Sequence, residues 1–516
     1  MRYVQIFVVL LLALLLSACT TLPPLEERTL SQALSVDAAK QTRLGKELAP
    51  VLYENGDNSG ILPLADAWDA FAARILMAER AEKTLDVQYY IWRADDTGLL
   101  LLSALFEAAE RGVRVRLLLD DLNTTALEGY LLHVHQHPNF EVRLFNPFVH
   151  RRSRVLGFIT DFDRANRRMH NKSFTADNLV TIVGGRNVGD SYFGAGEGML
   201  FNDLDILAVG PVVNEVSQDF DLFWHSGSSY PLHQIVDIDN QRSRYSPRPV
   251  SLLLHERAEL LDYMQSVMDT QFIRNILSGE VEFDWVQTTM VSDDPSKGLG
   301  NAEGEQLISY QLRKAIGEPQ AYFELITPYF VPTRAGTEAL IALANQGVQI
   351  TILTNSLEAT DVAMVHAGYA KWRKKLLRAG MQIFEVRRTQ TQREGKGDAD
   401  LGRFASSAGS LHAKTFAIDG ERVFVGSFNF DPRSVSLNTE LGFVIDSPDL
   451  AKMIDETFHE RMPFQAYELR LADSGRLYWL ERQPGEMRRY DYDPGTTWLQ
   501  RMSVRFFSLL PIDWLL

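Results

Sequence analysis

The sequence predicts an α/β fold of two similar halves around one shared cleft. Three observations predict it. The pattern H-x-K-x4-D occurs twice, at residues 170–177 and 412–419. Each copy runs through an apolar, β-favouring stretch into a small-residue turn holding an asparagine, Asn187 in Gly-Gly-Arg-Asn and Asn429 in Gly-Ser-Phe-Asn, at equal separation from its histidine. The order strand, helix, strand also recurs ahead of each copy, implying parallel β-α-β units in two domains related by a pseudo-twofold axis. With 516 residues, 45% of them hydrophobic, the chain can build a core in each half.

At the N-terminus, Arg2 precedes an apolar run over residues 4–16, too short for a comfortable membrane span, which ends in Leu16-Ser17-Ala18-Cys19. This resembles a bacterial lipoprotein signal, residues 1–18, with Cys19 taking the lipid. Cys19 is the sole cysteine, so no disulfide forms within the chain. By resemblance to enteric lipoproteins, Thr20 after it implies sorting to the outer membrane, facing the periplasm, over the inner membrane. Residues 19–60 read as a polar tether.

The first half is expected over residues 61–235. Trp68, Phe71, Ile75 and Leu76 recur at helical spacing, followed by a strand at 85–91, a helix at 99–111 stopped by Gly112, and a strand at 113–119. The order returns as a strand at 321–326, a helix at 336–345 stopped by Gly347 and a strand at 348–353. Gly227, Pro231, Pro247 and Pro249 punctuate the boundary, the second half takes residues 236–497, and the apolar segment 498–516, interrupted by Pro511, reads as interfacial.

The repeated motif can carry phosphoryl chemistry. Side chains two apart on a strand share a face, so each histidine points with its lysine, His170 with Lys172 and His412 with Lys414. A histidine beside a fixed ammonium suits attack on, or proton transfer next to, a phosphate whose charge the lysine neutralises. Asn187 and Asn429 add neutral donors. Asp203 and Glu440 stand at similar places in the repeats, where a carboxylate can fix a histidine tautomer; Glu440 fits better because Asp203 and Asp205 compete.

These residues resemble the phospholipase D superfamily and, within it, the bacterial cardiolipin synthases. The phrases at 85–92, 170–192, 365–370 and 426–434 carry the resemblance, which covers nearly the whole chain after about Ile61. It implies two phospholipase D-like halves and a phosphatidyltransferase that makes cardiolipin from phosphatidylglycerol with a second phosphatidylglycerol or phosphatidylethanolamine. The implied catalytic set is His170, Lys172, Asp177, His412, Lys414 and Asp419, with His170 as nucleophile and His412 as general acid. Position near a turn favours a structural role for Asp177 and Asp419. A hydrolase of the same fold, acting on phospholipid or nucleic acid, is the alternative.

A net charge of -15 argues against a general nucleic-acid binder. No metal and no cofactor is expected, because two lysines already supply positive charge and the histidines lack ligand spacing. Phospholipid and a membrane surface are the expected partners. Arg151, Arg152, Arg154, Arg164, Arg167 and Arg168 form a basic lead-in to the first motif, open to headgroup binding or to a solvated face. The basic stretch 371–378 reads as an amphipathic surface helix, with bilayer docking as the alternative. The glycine-rich 194–198 lacks the context of a phosphate-binding loop.

Overall fold

The computed structural model describes residues 22–25, 28–151, 153–195, 200–236, 258–360, 362–388, 409–483, 485–510 and 512–516. The signal sequence, Cys19, Arg152, Pro511, residues 237–257 of the expected boundary and 196–198 of the glycine-rich stretch lie outside the described residues.

In chain order the first half supplies β1 (Ser59–Leu64), β2 (Thr84–Tyr89), β3 (Arg114–Asp120), β4 (Phe140–Phe145), β5 (Ser173–Ala176), β6 (Val180–Gly184), β7 (Leu200–Asn202), β8 (Asp205–Val209), β9 (Ser229–Pro231) and β10 (Asp284–Val286). All but β7 join one sheet, ordered β10-β1-β8-β6-β5-β2-β3-β4-β9. The second half supplies β11 (Thr288–Ser292), β12 (Tyr322–Ile326), β13 (Gln349–Asn355), β14 (Gln382–Val386), β15 (Gly409–Leu411), β16 (Thr415–Ile418), β17 (Arg422–Gly426), β18 (Leu441–Ile445), β19 (Ala466–Leu471), β20 (Leu477–Gln483) and β21 (Glu486–Tyr490). All but β15 join a second sheet, ordered β11-β18-β17-β16-β12-β13-β14-β19-β20-β21. The two orders superpose from β1 onto β11 through to β9 onto β19, so the repeat seen in the motifs extends to the framework.

The β-α-β units form where the pattern places them. Asp66 caps the helix Ala67–Arg80 by accepting from the Trp68 and Asp69 amides, and Asp95 caps Asp96–Glu110 through the Gly98 amide. Gly112 and Gly347, both at positive φ, end the two crossover helices and turn the chain into parallel strands.

Among the described residues the three largest apolar cores fall into a pattern. One lies within the first half and one within the second. The third spans the seam, packing Val183, Leu204 and Ile206 of the first half with Leu353, Val425 and Phe443 of the second. Two chemically similar sheet faces thereby bury each other, and apolar area removed from water is the main force holding the halves together.

Two expected boundaries move. Residues 28–60 are not a free tether: the carbonyls of Thr29, Ser31 and Gln32 accept from Arg143, Arg116 and Arg114, Asp221 accepts from the Ala33 amide, and the helix Arg43–Asn55 follows. The halves also do not part near residue 235. The helices Ala258–Met268 and Gln271–Ser278 pack on the first half, and β10 adds an edge strand to β1. The chain passes between sheets at Gln287, whose carbonyl accepts from the Asp446 amide. Glycine and proline marked the end of the helix Pro211–His225 and gave no sign that the chain returns.

Candidate active site

Both H-x-K stretches lie just ahead of a strand rather than within one, His170 before β5 and His412 before β16. Because Gln88 pairs with Ser173 and Ile326 with Thr415, each histidine sits beyond the carboxyl end of its half's central parallel strand.

Each histidine is held by the opposite half. The His170 amide donates to the Thr439 carbonyl at 2.8 Å, and its Nδ1 lies 2.7 Å from Glu440 Oε2. In the mirror arrangement the His412 amide donates to the Asn202 carbonyl at 2.8 Å, and its Nδ1 lies 2.5 Å from Asp203 Oδ2. A carboxylate on Nδ1 fixes the tautomer that carries its proton there and leaves Nε2 available for chemistry. The parallel pairing of β7 with β15 places Asn202 beside Leu411 and so builds the second clasp.

Asp203 and Glu440 both orient histidines, so the expected competition with Asp205 resolves. Asp205 instead pairs with Arg74 and Arg186. Gly185 lies against Asp203, where a Cβ would meet Oδ1 at 2.2 Å, so any side chain there would push the carboxylate off His412. Glu440 is fixed by the Ser427 and Ser434 hydroxyls at 2.6 and 2.7 Å, and its amide donates to Asp293 Oδ2.

The site's electrostatics follow from burial and like charge. Burial, with Lys172, Lys414 and His412 nearby, pushes the His170 imidazole well below its ordinary range and keeps it neutral. Burial and Lys414 push Lys172 down to about 7. Burial and Lys414 also lower His412, but Asp203 opposes them. Against the pull of burial, His412 and Lys414 hold the Asp203 carboxyl well below the usual carboxylate range. Each lysine donates to its own histidine's carbonyl, and Lys414 Nζ lies 3.2 Å from His412 Nε2.

The remaining candidates divide. Asn187 is fully buried, with Oδ1 accepting from the Ile91 amide and Nδ2 donating to the Tyr192 hydroxyl. Asn429 Oδ1 is buried without a hydrogen-bond partner. Asp177 and Asp419 belong elsewhere, correcting their place in the catalytic set. Asp177 accepts from the amides of Glu82, Lys83 and Thr84, and Asp419 from those of Gln320, Ala321 and Tyr322. Both sit at the amino ends of β2 and β12, a full strand away from the histidines, and knit a turn to a strand.

Local pattern did not single out Tyr90 and Tyr192 as site residues, although both lie in phrases that carry the resemblance. Tyr90 meets the His170 ring edge-on at 4.9 Å between centroids, and Tyr192 meets that of His412 at 5.3 Å. Four of the described arginines of the basic lead-in are held by carboxylates of their own half. Arg151 pairs with Asp121 and Glu128, Arg154 with Asp121, Arg164 with Asp161 and Arg168 with Asp120. In the stretch 371–378, Arg373 is buried on Glu385 and Asp493 while Lys374 and Lys375 are exposed. Among the described residues one trio of ligand type, Glu324, Asp455 and His459, brings its ligand atoms within 4.8 Å of one another, and it shares no member with either motif.

The tail is part core and part surface. Val504 of the helix Trp498–Ser508 packs with Leu357 and Ala367, and Leu516 is buried with Val331 and Val365. Trp498, Leu499, Met502, Phe506 and Leu509 are exposed. Among the described residues no helix is long and apolar enough to cross a membrane.

Comparison with known proteins gives a consistent picture. Residues 75–224 and 312–462 match the family described as cardiolipin synthase, PLD-like domain. Cardiolipin synthase C of Escherichia coli K12 is 49% identical over 475 residues, spanning 92% of this chain and all of that protein. The major cardiolipin synthase ClsA of Bacillus subtilis is 25% identical over 78% of this chain and 69% of that protein. Among solved structures, phosphatidylserine synthase from Haemophilus influenzae Rd KW20 superposes with a TM-score of 0.57 at 14% identity, covering 91% of this chain and 99% of that one; at that identity the likeness speaks for the fold.

Proposed function

Since the chain belongs to the cardiolipin synthase family with phospholipase D-like domains, we propose that it makes cardiolipin by passing a phosphatidyl group through one histidine to phosphatidylglycerol. The observation that carries this reading is the reciprocal clasp, which gives one site two oriented histidines of different electrostatic character.

The buried, neutral His170 is the nucleophile. Its Nε2 bonds to the donor phosphorus as the bond from phosphorus to the headgroup oxygen breaks, and His412 gives that oxygen its proton. Ionised Asp203 on Nδ1 opposes the burial and the Lys414 charge that lower His412, which favours the protonated ring this step uses. A phosphatidylglycerol hydroxyl then attacks phosphorus, returns its proton to His412 and releases His170 as cardiolipin forms. Lys172 and Lys414 neutralise the non-bridging oxygens, and the Asn187 and Asn429 amides support the same oxygens. No step calls for a metal. Phosphatidylethanolamine and a second phosphatidylglycerol are the candidate donors.

Acylated Cys19 holds the protein at the membrane surface facing the periplasm, with Thr20 favouring the outer membrane. The deciding experiment is lipid analysis after expression in a host without cardiolipin synthases. New cardiolipin supports transfer; phosphatidic acid alone would establish hydrolysis instead.

A further inference from the structure

We propose that the cleft is framed by a two-part rim that docks on an anionic phospholipid bilayer, made of the helix Arg154–Thr160 with Phe162 from the first half and the helix Trp498–Ser508 from the second. The choice of occupant rests on the reading of the chain as a phosphatidyltransferase.

Topology puts both elements at the histidine end of the fold. β4 runs parallel to β2 through β3, and the chain leaves the carboxyl end of β4 toward the helix Arg154–Thr160. In the second half the loop leaving the carboxyl end of β12 packs Val331 against Leu516 and Ile512 of the tail. Arg433 joins the two parts: Nη1 donates to Asn166 Oδ1 at 2.7 Å and to the Leu515 carbonyl at 3.2 Å, and its amide donates to the Leu516 carbonyl at 3.0 Å.

Each helix is anchored on one side and apolar on the other. Arg154 donates to the Asp121 and Leu122 carbonyls, and Gly157 presses on Phe148, where a Cβ would sit 2.9 Å from the ring. That leaves Val155 and Ile159, one turn apart, 71% and 74% exposed. On the second helix buried Val504 faces inward, while Leu499 and Phe506 are 71% and 60% exposed. Apolar clusters of this kind mark contact surfaces. In a chain of net charge -15 this helix carries Arg501 and Arg505 and no acidic residue, which suits an anionic lipid surface. With both parts at acyl depth, the cleft between them lies at the level of the headgroup phosphates.

The test uses the full chain in vesicles of phosphatidylglycerol and phosphatidylcholine. With Cys19 acylated no other thiol is present, so Ile159→Cys, Phe506→Cys and Tyr53→Cys each take one spin label; Tyr53, on the helix leading into β1, is at the opposite end and 92% exposed. Labels at 159 and 506 should both be shielded from an aqueous relaxant at least threefold more than the label at 53, and only when vesicles are present. Equal access at 159 or 506 and at 53 would overturn the proposal, as would shielding without vesicles, which signals a second copy on this face. Ile159→Asp combined with Phe506→Asp should lower turnover on vesicles at least tenfold and turnover of a dispersed short-chain phospholipid less than twofold; equal losses would mean a structural role and overturn the rim. If the unsubstituted chain turns over neither substrate, the proposed function fails while the labels still decide the docking.

Discussion

His170 and Glu440 stand 270 positions apart and meet at 2.7 Å across the seam between the halves. With His412 and Asp203 repeating the arrangement in reverse, neither half holds a complete reactive histidine by itself. Replacing Glu440 with Gln should lower kcat on the order of 100-fold or more with KM little changed, because the ring loses its orienting carboxylate while phosphate contacts persist. Steady-state kinetics on both parameters check this, and an equal loss in KM would point to a binding role instead.

Replacing either histidine with alanine should reduce turnover by roughly 10³-fold or more, since each performs a different bond or proton event. Acid-stable trapping is not expected of a phosphohistidine, so quenched samples should be digested at alkaline pH. Label from a phosphorus-labelled donor should then appear on the peptide containing His170. Label on the His412 peptide alone would reverse the assignment.

Lys172, lowered to about 7 by burial and Lys414, must be charged to hold an anion. Below pH 7 it already is; above, binding must draw in a proton. Tungstate, whose charge is constant over this range, should bind more weakly by up to about tenfold per pH unit above 7. Calorimetric titration at pH 6.5, 7.5 and 8.5 reads this, and a flat profile would place the anion elsewhere.

Asp219 of the helix Pro211–His225 faces the second half, accepting from the Ser292 hydroxyl while its Oδ2 is buried without a partner. Burial, with Asp293 and Asp294 nearby, raises it to about 7. A raised carboxyl favours folding while protonated, so its contribution is complete at pH below 3.8 and disappears as pH rises through 7. Asp219→Asn should therefore raise Tm by roughly 2–5 °C at pH 8 and by clearly less at pH 5, where only part of the contribution is lost, measured by scanning calorimetry.

Cys19→Ser should abolish acylation and impair processing of the signal. Labelling with radioactive palmitate in growing cells checks it, and persistent label would refute acylation at this position.

Much of this was legible because it repeats. Histidine, lysine and asparagine recur at one spacing, and Trp68 to Leu76 advertise a helix by period. What was hidden depends on partners distant in sequence. Nothing near Asp203 says that Asp205 will be taken by Arg74 and Arg186, and nothing near Glu440 says that its histidine lies in the other half. Arg151 and Arg154 look like a ligand-binding cluster until Asp121 and Glu128 fold beneath them. The strand β10 was missed because three residues carry no usable period.

The lone residue Gln287 between β10 and β11 has a mechanical consequence. Edge strands of different sheets joined by one residue keep the two sheets from sliding apart at this edge, and the apolar seam core resists their opening. On the proposed docking, lipids then slide in and out along the rim with tails trailing in the bilayer, and turnover proceeds without the halves parting at this edge. A crosslink stapling the two sheets beside this joint should then be silent in an activity assay.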